Sequence, residues 1–161
     1  MTLPLFGKVD RLDRIGEHEY RIYDYKTGSD YGFSANAYFQ AGQRLQHALY
    51  AVAVEQWLEK TGQDHCPQVV ESSYVFTTDK ARQDEITYRQ NRRVDLRNLV
   101  VSLRRILEQG VFISTQDVGN CTFCDFVSIC TGKAASQSKA KRQEAANETV
   151  SAILGEVSRY A

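Results

Sequence analysis

Apolar and polar positions alternate at short range near the start of the chain, then switch to a longer period. Leu5, Val9, Ile15, Tyr20, Ile22 and Tyr23 supply the apolar and aromatic positions of two strands. Gly16-Glu17-His18 supplies the turn between them, so the segment predicts a hairpin. Thr27-Gly28-Ser29-Asp30-Tyr31-Gly32 reads as a polar loop. From about Phe39 to Lys60, Leu45, Leu49, Val52, Ala53, Gln56 and Trp57 recur at three- and four-residue spacing, which predicts a helix ended by Gly62. Val69 to Thr77 predicts a strand, Asp79-Lys80-Ala81-Arg82 a turn, and Glu85 to Arg89 a returning strand. A second helix follows over Val94 to Gln109, carried by Leu96, Leu99, Val100, Leu103, Ile106 and Leu107 and stopped by Gly110. Residues 133–147 carry almost no large apolar side chain and read as a solvated helix or a disordered tail, with Val150, Ile153, Leu154 and Val157 forming a last short amphipathic helix. Strand, strand, helix, strand, strand, helix is the order of an α/β protein with a small mixed sheet.

Composition narrows the function classes only a little. With 161 residues the chain reads as one main domain, long enough to bury a core, and 20 Lys plus Arg balance 20 Asp plus Glu. A nucleic-acid surface must therefore be a local patch, for which Arg89, Arg92, Arg93, Arg97, Arg104 and Arg105 are the densest candidates, against the plainer reading of a solvated helix face. No apolar run approaches the ~20 residues that cross a bilayer, and no signal peptide is evident, so a cytoplasmic location with no membrane partner is expected. There the four cysteines read as thiols or metal ligands rather than disulfides. The division expected is a domain over residues 1–131, its segment 113–131 holding clustered cysteines, and a polar tail over 132–161. Met1-Thr2-Leu3-Pro4 leads straight into the first strand, which suggests an N-terminally truncated domain.

The candidate chemistry starts in the hairpin. A hairpin folded symmetrically about Glu17 sets Asp10 opposite Asp24, because both lie seven residues from it. Strand side chains alternate faces, so Asp24 and Lys26 point the same way and Asp10 faces Asp24 across the ladder. Opposed carboxylates repel unless a cation lies between them. Oxygen ligands of this kind suit Mg²⁺ or Mn²⁺, with a main-chain carbonyl such as that of Tyr25 completing the shell. A divalent ion beside a lysine suits phosphodiester cleavage. Taken alone, Asp-x-Lys is a weak pattern and is equally an exposed pair on an edge hairpin.

Two further constellations stand out. Gln46 and Tyr50 are four residues apart and share a helix face; Gln46, both donor and acceptor, suits the orientation of a lysine, water or phosphate. On helix pattern alone the two are also a border residue and a core aromatic. Cys121, Cys124 and Cys130 place three thiols within ten residues, the pattern of a zinc site or an iron–sulfur cluster, with Cys66 the remaining cysteine.

In this order these residues resemble the PD-(D/E)xK nuclease superfamily, in its RecB/AddB-like branch. That branch carries a Gly-x-x-Asp strand, Asp-Tyr-Lys, a Gln-x-x-x-Tyr helix and Cys-x2-Cys-x5-Cys. Here these are Gly7 to Asp10, Asp24 to Lys26, Gln46 to Tyr50, and Cys121, Cys124 and Cys130, within residues 5–131. The resemblance implies a restriction-endonuclease-like core with a small central mixed sheet flanked by helices. It implies that Asp10 and Asp24 bind the metal, that Lys26 is catalytic, and that Gln46 and Tyr50 line the site. It further implies a [4Fe–4S] cluster on the three cysteines, DNA as substrate, and a helicase domain or subunit as partner. One departure is visible: the family's upstream His ligand and first cluster cysteine have no counterpart before Asp10. A catalytically incomplete relative that binds DNA, or a metal-stapled interaction module, is the alternative.

Overall fold

In the computed structural model, residues 6–82, 84–110, 112–122, 124–130 and 133–160 are described. Leu5, the start at Met1–Pro4 and Gly132 lie outside them. The elements are β1 (Arg11–Arg14), β2 (Glu19–Lys26), α1 (Gln46–Lys60), β3 (Gln68–Phe76), β4 (Glu85–Arg89), α2 (Arg93–Gln109), α3 (Ala134–Gln143) and α4 (Glu148–Val157). Short 3₁₀ turns occupy Gln40–Gly42, Val118–Cys121 and Ala145–Asn147. The four strands form one sheet in the order β1-β2-β3-β4. β1 and β4 run antiparallel to their neighbours, while β2 and β3 are parallel and joined through α1. This is the expected α/β class with a small mixed sheet.

The chain divides into two compact units, one up to Arg97 together with Tyr160, the other Asn98–Arg159. In the first, one face of the sheet and one face of α1 bury each other. Tyr20 and Ile22 of β2, Ala51, Val54 and Leu58 of α1, and Val69 of β3 form the cluster, with Val9, Leu12 and Tyr50 packed at its border. The register between β2 and β3 shifts by one residue after Tyr20, so that Tyr20 pairs with Val69 and Arg21 with Glu71. The extra residue, Val70, lets Val69 and then Ser72, Tyr74 and Phe76 all be buried. Arg21 bridges Glu71 at 3.3 Å and Glu85 at 3.0 Å, cross-linking three strands.

Two features of α1 differ from the sequence expectation. The helix begins at Gln46 rather than near Phe39, because Gln40 and Ala41 adopt positive φ values of 47° and 52°. The Ala41 N–H donates to the Tyr160 carbonyl at 2.8 Å, and Phe39 is fully buried beside Tyr38 and His47. Tertiary contacts thus bend a stretch whose apolar spacing reads as helix. The buried face is His47, Ala48, Ala51, Val54 and Leu58, not the expected stripe through Val52, Ala53 and Trp57; Trp57 is 49% exposed. Gly62, at φ +71°, ends the helix as expected: it donates to Glu59 and Gln63 donates to Leu58.

In the second unit, α2 buries Leu99 and Ser102, and Arg105 lies 3.5 Å from Glu156 of α4. Helix α3 occupies most of the stretch that the sequence leaves between a solvated helix and a disordered tail, and α4 is the last short helix expected after it. α4 buries Val150, Ile153 and Val157, as its amphipathic spacing predicts. α3 is less solvated than its composition suggests. Ser138 is fully buried, its hydroxyl donating to the Ser114 carbonyl at 2.5 Å. No helix among the described residues is long and apolar enough to cross a membrane.

Candidate active site

The β1–β2 ladder pairs Arg11 with Tyr23, Leu12 with Ile22, Asp13 with Arg21 and Arg14 with Tyr20. Every pair is symmetric about Glu17, the register expected from the turn, and the ladder ends at Arg11, the residue after Asp10. Asp10 is exposed, and its Oδ2 accepts the Tyr25 main-chain N–H at 2.9 Å, closing the open end of the hairpin.

Asp24 and Lys26 lie on the α1 side of β2, in line with the buried Tyr20 and Ile22. Lys26 Nζ is 2.6 Å from Asp24 Oδ1. Gln46, the first residue of α1, completes a triangle: its Nε2 donates to Asp24 Oδ2 at 2.9 Å and its Oε1 accepts from Lys26 Nζ at 3.1 Å. A glutamine is suited to this corner because one amide both donates and accepts. The positive end of the α1 dipole lies at the same corner, which favours a carboxylate. Asp24 itself is 9% exposed, so these contacts operate with little competing water. Lys26 Nζ also sits 4.9 Å from the centre of the Tyr74 ring. Burial, and then the charge of Asp24, raise the Tyr74 hydroxyl pKa, so it stays a neutral phenol beneath the lysine.

Tyr50, one turn along α1, packs against Gly7 at the border of the core. A Cβ built on Gly7 would stand 2.8 Å from Tyr50 Cε1 and 2.8 Å from its hydroxyl. The ring therefore lies on bare backbone three residues before Asp10, and the two motifs bearing Gly7 and Tyr50 form one contact. Behind Gln46, His47 Nε2 donates to the Tyr38 carbonyl at 2.9 Å, and Gln90 Nε2 donates to Nδ1 at 3.2 Å. Its ring stacks on Tyr88 with centroids 4.2 Å apart. Burial lowers the His47 pKa to about 4, which keeps the imidazole neutral. The periodicity of the helix did not single out His47, because a lone histidine gives no sign of the stack around it.

Both acids are hard oxygen donors, and the Asp10 carboxylate is exposed, so the donor set fits Mg²⁺ or Mn²⁺. Asp24 has both oxygens engaged, but each carboxylate oxygen offers a second lone pair. The loops leaving the carboxyl ends of β2 and β3 are joined where Thr77 N donates to the Lys26 carbonyl at 3.0 Å and the Thr78 hydroxyl to the Thr27 carbonyl at 3.2 Å. They line a cavity of about 500 Å³ with Ser29, Asp30, Tyr31, Lys80 and Arg82.

The remaining candidates are placed as follows. Cys121 and Cys130 line one cavity of about 470 Å³ with Val118, Thr122, Val127 and Ala134. Together with Cys124 they do not form a close group of three ligand atoms; among the described residues only His18, Asp64 and His65 do. Three thiols in this unit are one short of the four that a [4Fe–4S] cluster takes, so these residues do not complete its ligand set. Most of the arginine run is engaged in ion pairs: Arg89 with Glu71, Arg92 with Asp95, Arg93 with Glu55, Arg104 with Glu108 and Arg105 with Glu156. That favours the solvated-face reading over a phosphate-binding patch.

No curated protein and no solved structure matches the chain. Residues 2–131 match the PD-(D/E)XK nuclease superfamily, a span that contains the hairpin, the lysine and the Gln-Tyr helix start. On that match, and with an α/β core whose mixed sheet carries these residues, the chain belongs to the PD-(D/E)XK nuclease superfamily.

Proposed function

We propose that the protein hydrolyses DNA phosphodiester bonds with Mg²⁺ or Mn²⁺, as the nuclease module of a recombination or repair helicase–nuclease. The observation that carries this reading is the triangle of Asp24, Lys26 and Gln46, together with an exposed Asp10 whose carboxylate accepts the Tyr25 main-chain N–H. Asp10 and Asp24, with the main-chain carbonyl of Tyr25, are the residues that would hold the ion. When bound, the ion supplies Lewis-acid polarisation of the scissile phosphate and a water of lowered pKa.

The chain's own groups divide the remaining work. Lys26 stabilises negative charge developing on the phosphate oxygens and orients the attacking water. Gln46 fixes both Lys26 and Asp24, so that neither spends time out of position. Tyr50, seated on Gly7, keeps the segment that leads into Asp10 against α1. The cavity beyond β2 and β3 gives the substrate strand a place to lie: Tyr31 is 90% exposed and offers a stacking face, and Lys80 and Arg82 offer charges to phosphates. These features favour single-stranded DNA or resected ends. The order of the motifs, as in the RecB/AddB-like branch, supports the helicase context.

The test is cleavage of end-labelled single-stranded and double-stranded DNA with Mg²⁺, Mn²⁺ or EDTA. Metal-dependent cleavage lost in both Asp24→Asn and Lys26→Ala is expected. Cleavage that persists in EDTA, or at wild-type rate in either variant, overturns the assignment.

A further inference from the structure

We propose that His18, Asp64 and His65 form a second metal site, selective for a divalent transition metal and best suited to Zn²⁺. One ligand atom from each lies within 4.8 Å of the other two. The three residues belong to two connections at the amino ends of the parallel strands. His18 closes the β1–β2 turn, and Asp64 and His65 follow the glycine turn that ends α1. Asp24 is six residues further along β2, roughly 20 Å at the rise of an extended strand. The site is therefore distinct from the one that faces DNA.

Asp64 is the anchor. Its side chain is 1% exposed, a rare position for a carboxylate. The Tyr20 hydroxyl donates to Oδ2 at 2.8 Å, and the Cys66 main-chain N–H donates to Oδ1 at 3.0 Å. The same Oδ1 lies 2.6 Å from His18 Nδ1. The turn that delivers Asp64 is held too, with Gln63 N and Asp64 N both donating to the Leu58 carbonyl. Two imidazoles approach this fixed carboxylate from the solvent side. His18 is partly exposed, His65 is exposed, and their rings meet edge-on with centroids 4.7 Å apart.

Ligand distances near 2 Å about a tetrahedral zinc place neighbouring ligand atoms roughly 3.4 Å apart. From the observed spread, the His18 Nδ1–Asp64 Oδ1 pair, 2.6 Å apart, would widen and the longer separations would shorten on rotation of the exposed and part-exposed histidine side chains about the fixed carboxylate. Two imidazoles and one carboxylate suit zinc and its transition-metal neighbours, whereas Mg²⁺ prefers an all-oxygen shell. Three protein ligands leave one coordination position for water. Such an ion cross-links the hairpin turn to the α1–β3 connection and pins the β2–β3 pair from the end opposite Asp24 and Lys26.

The experiment is zinc titration of the full chain, stripped with EDTA, against a chromophoric chelator, with thermal melting in parallel and Co²⁺ as a spectroscopic stand-in. Expected are a saturable zinc equivalent that raises Tm, is not displaced by excess Mg²⁺, and is lost in both His18→Ala and His65→Ala. Its Co²⁺ spectrum should show tetrahedral bands without a thiolate charge-transfer band. His65 is exposed, so its variant is expected to fold, and Cys66→Ser is expected to retain the site. Unchanged stoichiometry in His65→Ala, or a Co²⁺ thiolate band lost with that equivalent, overturns the proposal by assigning the zinc to cysteines. Absence of saturable binding overturns it outright and leaves the cluster a hydrogen-bond network.

Discussion

Asp24 spends both oxygens on partners that are themselves linked, so each side chain in the triangle fixes the other two. Converting the acid to an amide keeps the shape and removes the charge. Asp24→Asn and Lys26→Ala are each expected to lower metal-dependent DNA cleavage by about 100-fold or more, the scale for losing a group that meets developing charge. Gln46→Ala should lose less, because it holds the reacting groups without being one. Single-turnover rates at saturating Mn²⁺ measure all three, and a Gln46→Ala loss equal to that of Lys26→Ala would refute this division of roles. At Gly7 the issue is space rather than charge. A methyl group there meets the end of the Tyr50 ring at 2.8 Å, so Gly7→Ala should displace that ring and destabilise the fold, though by less than overpacking a closed core costs, about 1–3 kcal/mol, because Gly7 is exposed. Urea denaturation of Gly7→Ala, Tyr50→Ala and the double variant should show strong non-additivity, since Tyr50→Ala removes the obstruction. Additive losses would mean that the ring does not rest on that backbone.

Among the elements, legibility followed sequence distance. The hairpin register could be read because the turn residues fix its centre and alternation does the rest, and all four ladder pairs obey it. β4 has the predicted bounds for the same reason. The start of α1 could not be read, because what stops the helix is Tyr160 receiving the Ala41 N–H from more than a hundred residues away. Its buried face was equally obscure. Apolar side chains surround much of α1, and only the sheet decides which stripe is covered. The His18–Asp64 contact joins residues 46 apart and has no local signal at all. His47 shows what such packing does to titration. Burial lowers its folded pKa to about 4 from an ordinary value of 6.5. Between those values the unfolded chain binds the proton and the folded chain does not, so stability is full above pH 6.5 and falls as pH drops toward 4. The loss through that window should be about 3 kcal/mol by linkage. His47→Gln, which keeps a donor for Tyr38, should flatten the dependence, and an unchanged pH slope in that variant would show that another group controls it.

At the scale of the whole chain, the balance of charge hides where a polyanion would bind. The densest run of arginines invited that role, yet five of its six members pair with carboxylates. Such a count could not be made from sequence, since the partners Glu55, Glu71 and Glu156 lie far from the run. Among the described residues, the cavity beyond β2 and β3 brings Lys80 and Arg82 together with the exposed Tyr31. It lies beyond the end of the strand that carries Asp24 and Lys26, which is why the substrate track is proposed there. If Lys80 and Arg82 each neutralise one phosphate, the double variant Lys80→Ala/Arg82→Ala should reduce the slope of log affinity on log salt by roughly 1.4 for single-stranded DNA. Tyr31→Ala should weaken binding by about 1–3 kcal/mol with little change in that slope, because stacking releases no counterions. Both effects belong to KM, and kcat at saturating DNA should hold, since neither change touches the triangle. Fluorescence anisotropy on a labelled oligonucleotide across a salt series, in an Asp24→Asn background that does not cut it, isolates the binding step. An unchanged salt slope in the double variant would move the DNA track away from this cavity and leave the chemistry at Asp24 and Lys26 to be served from another side.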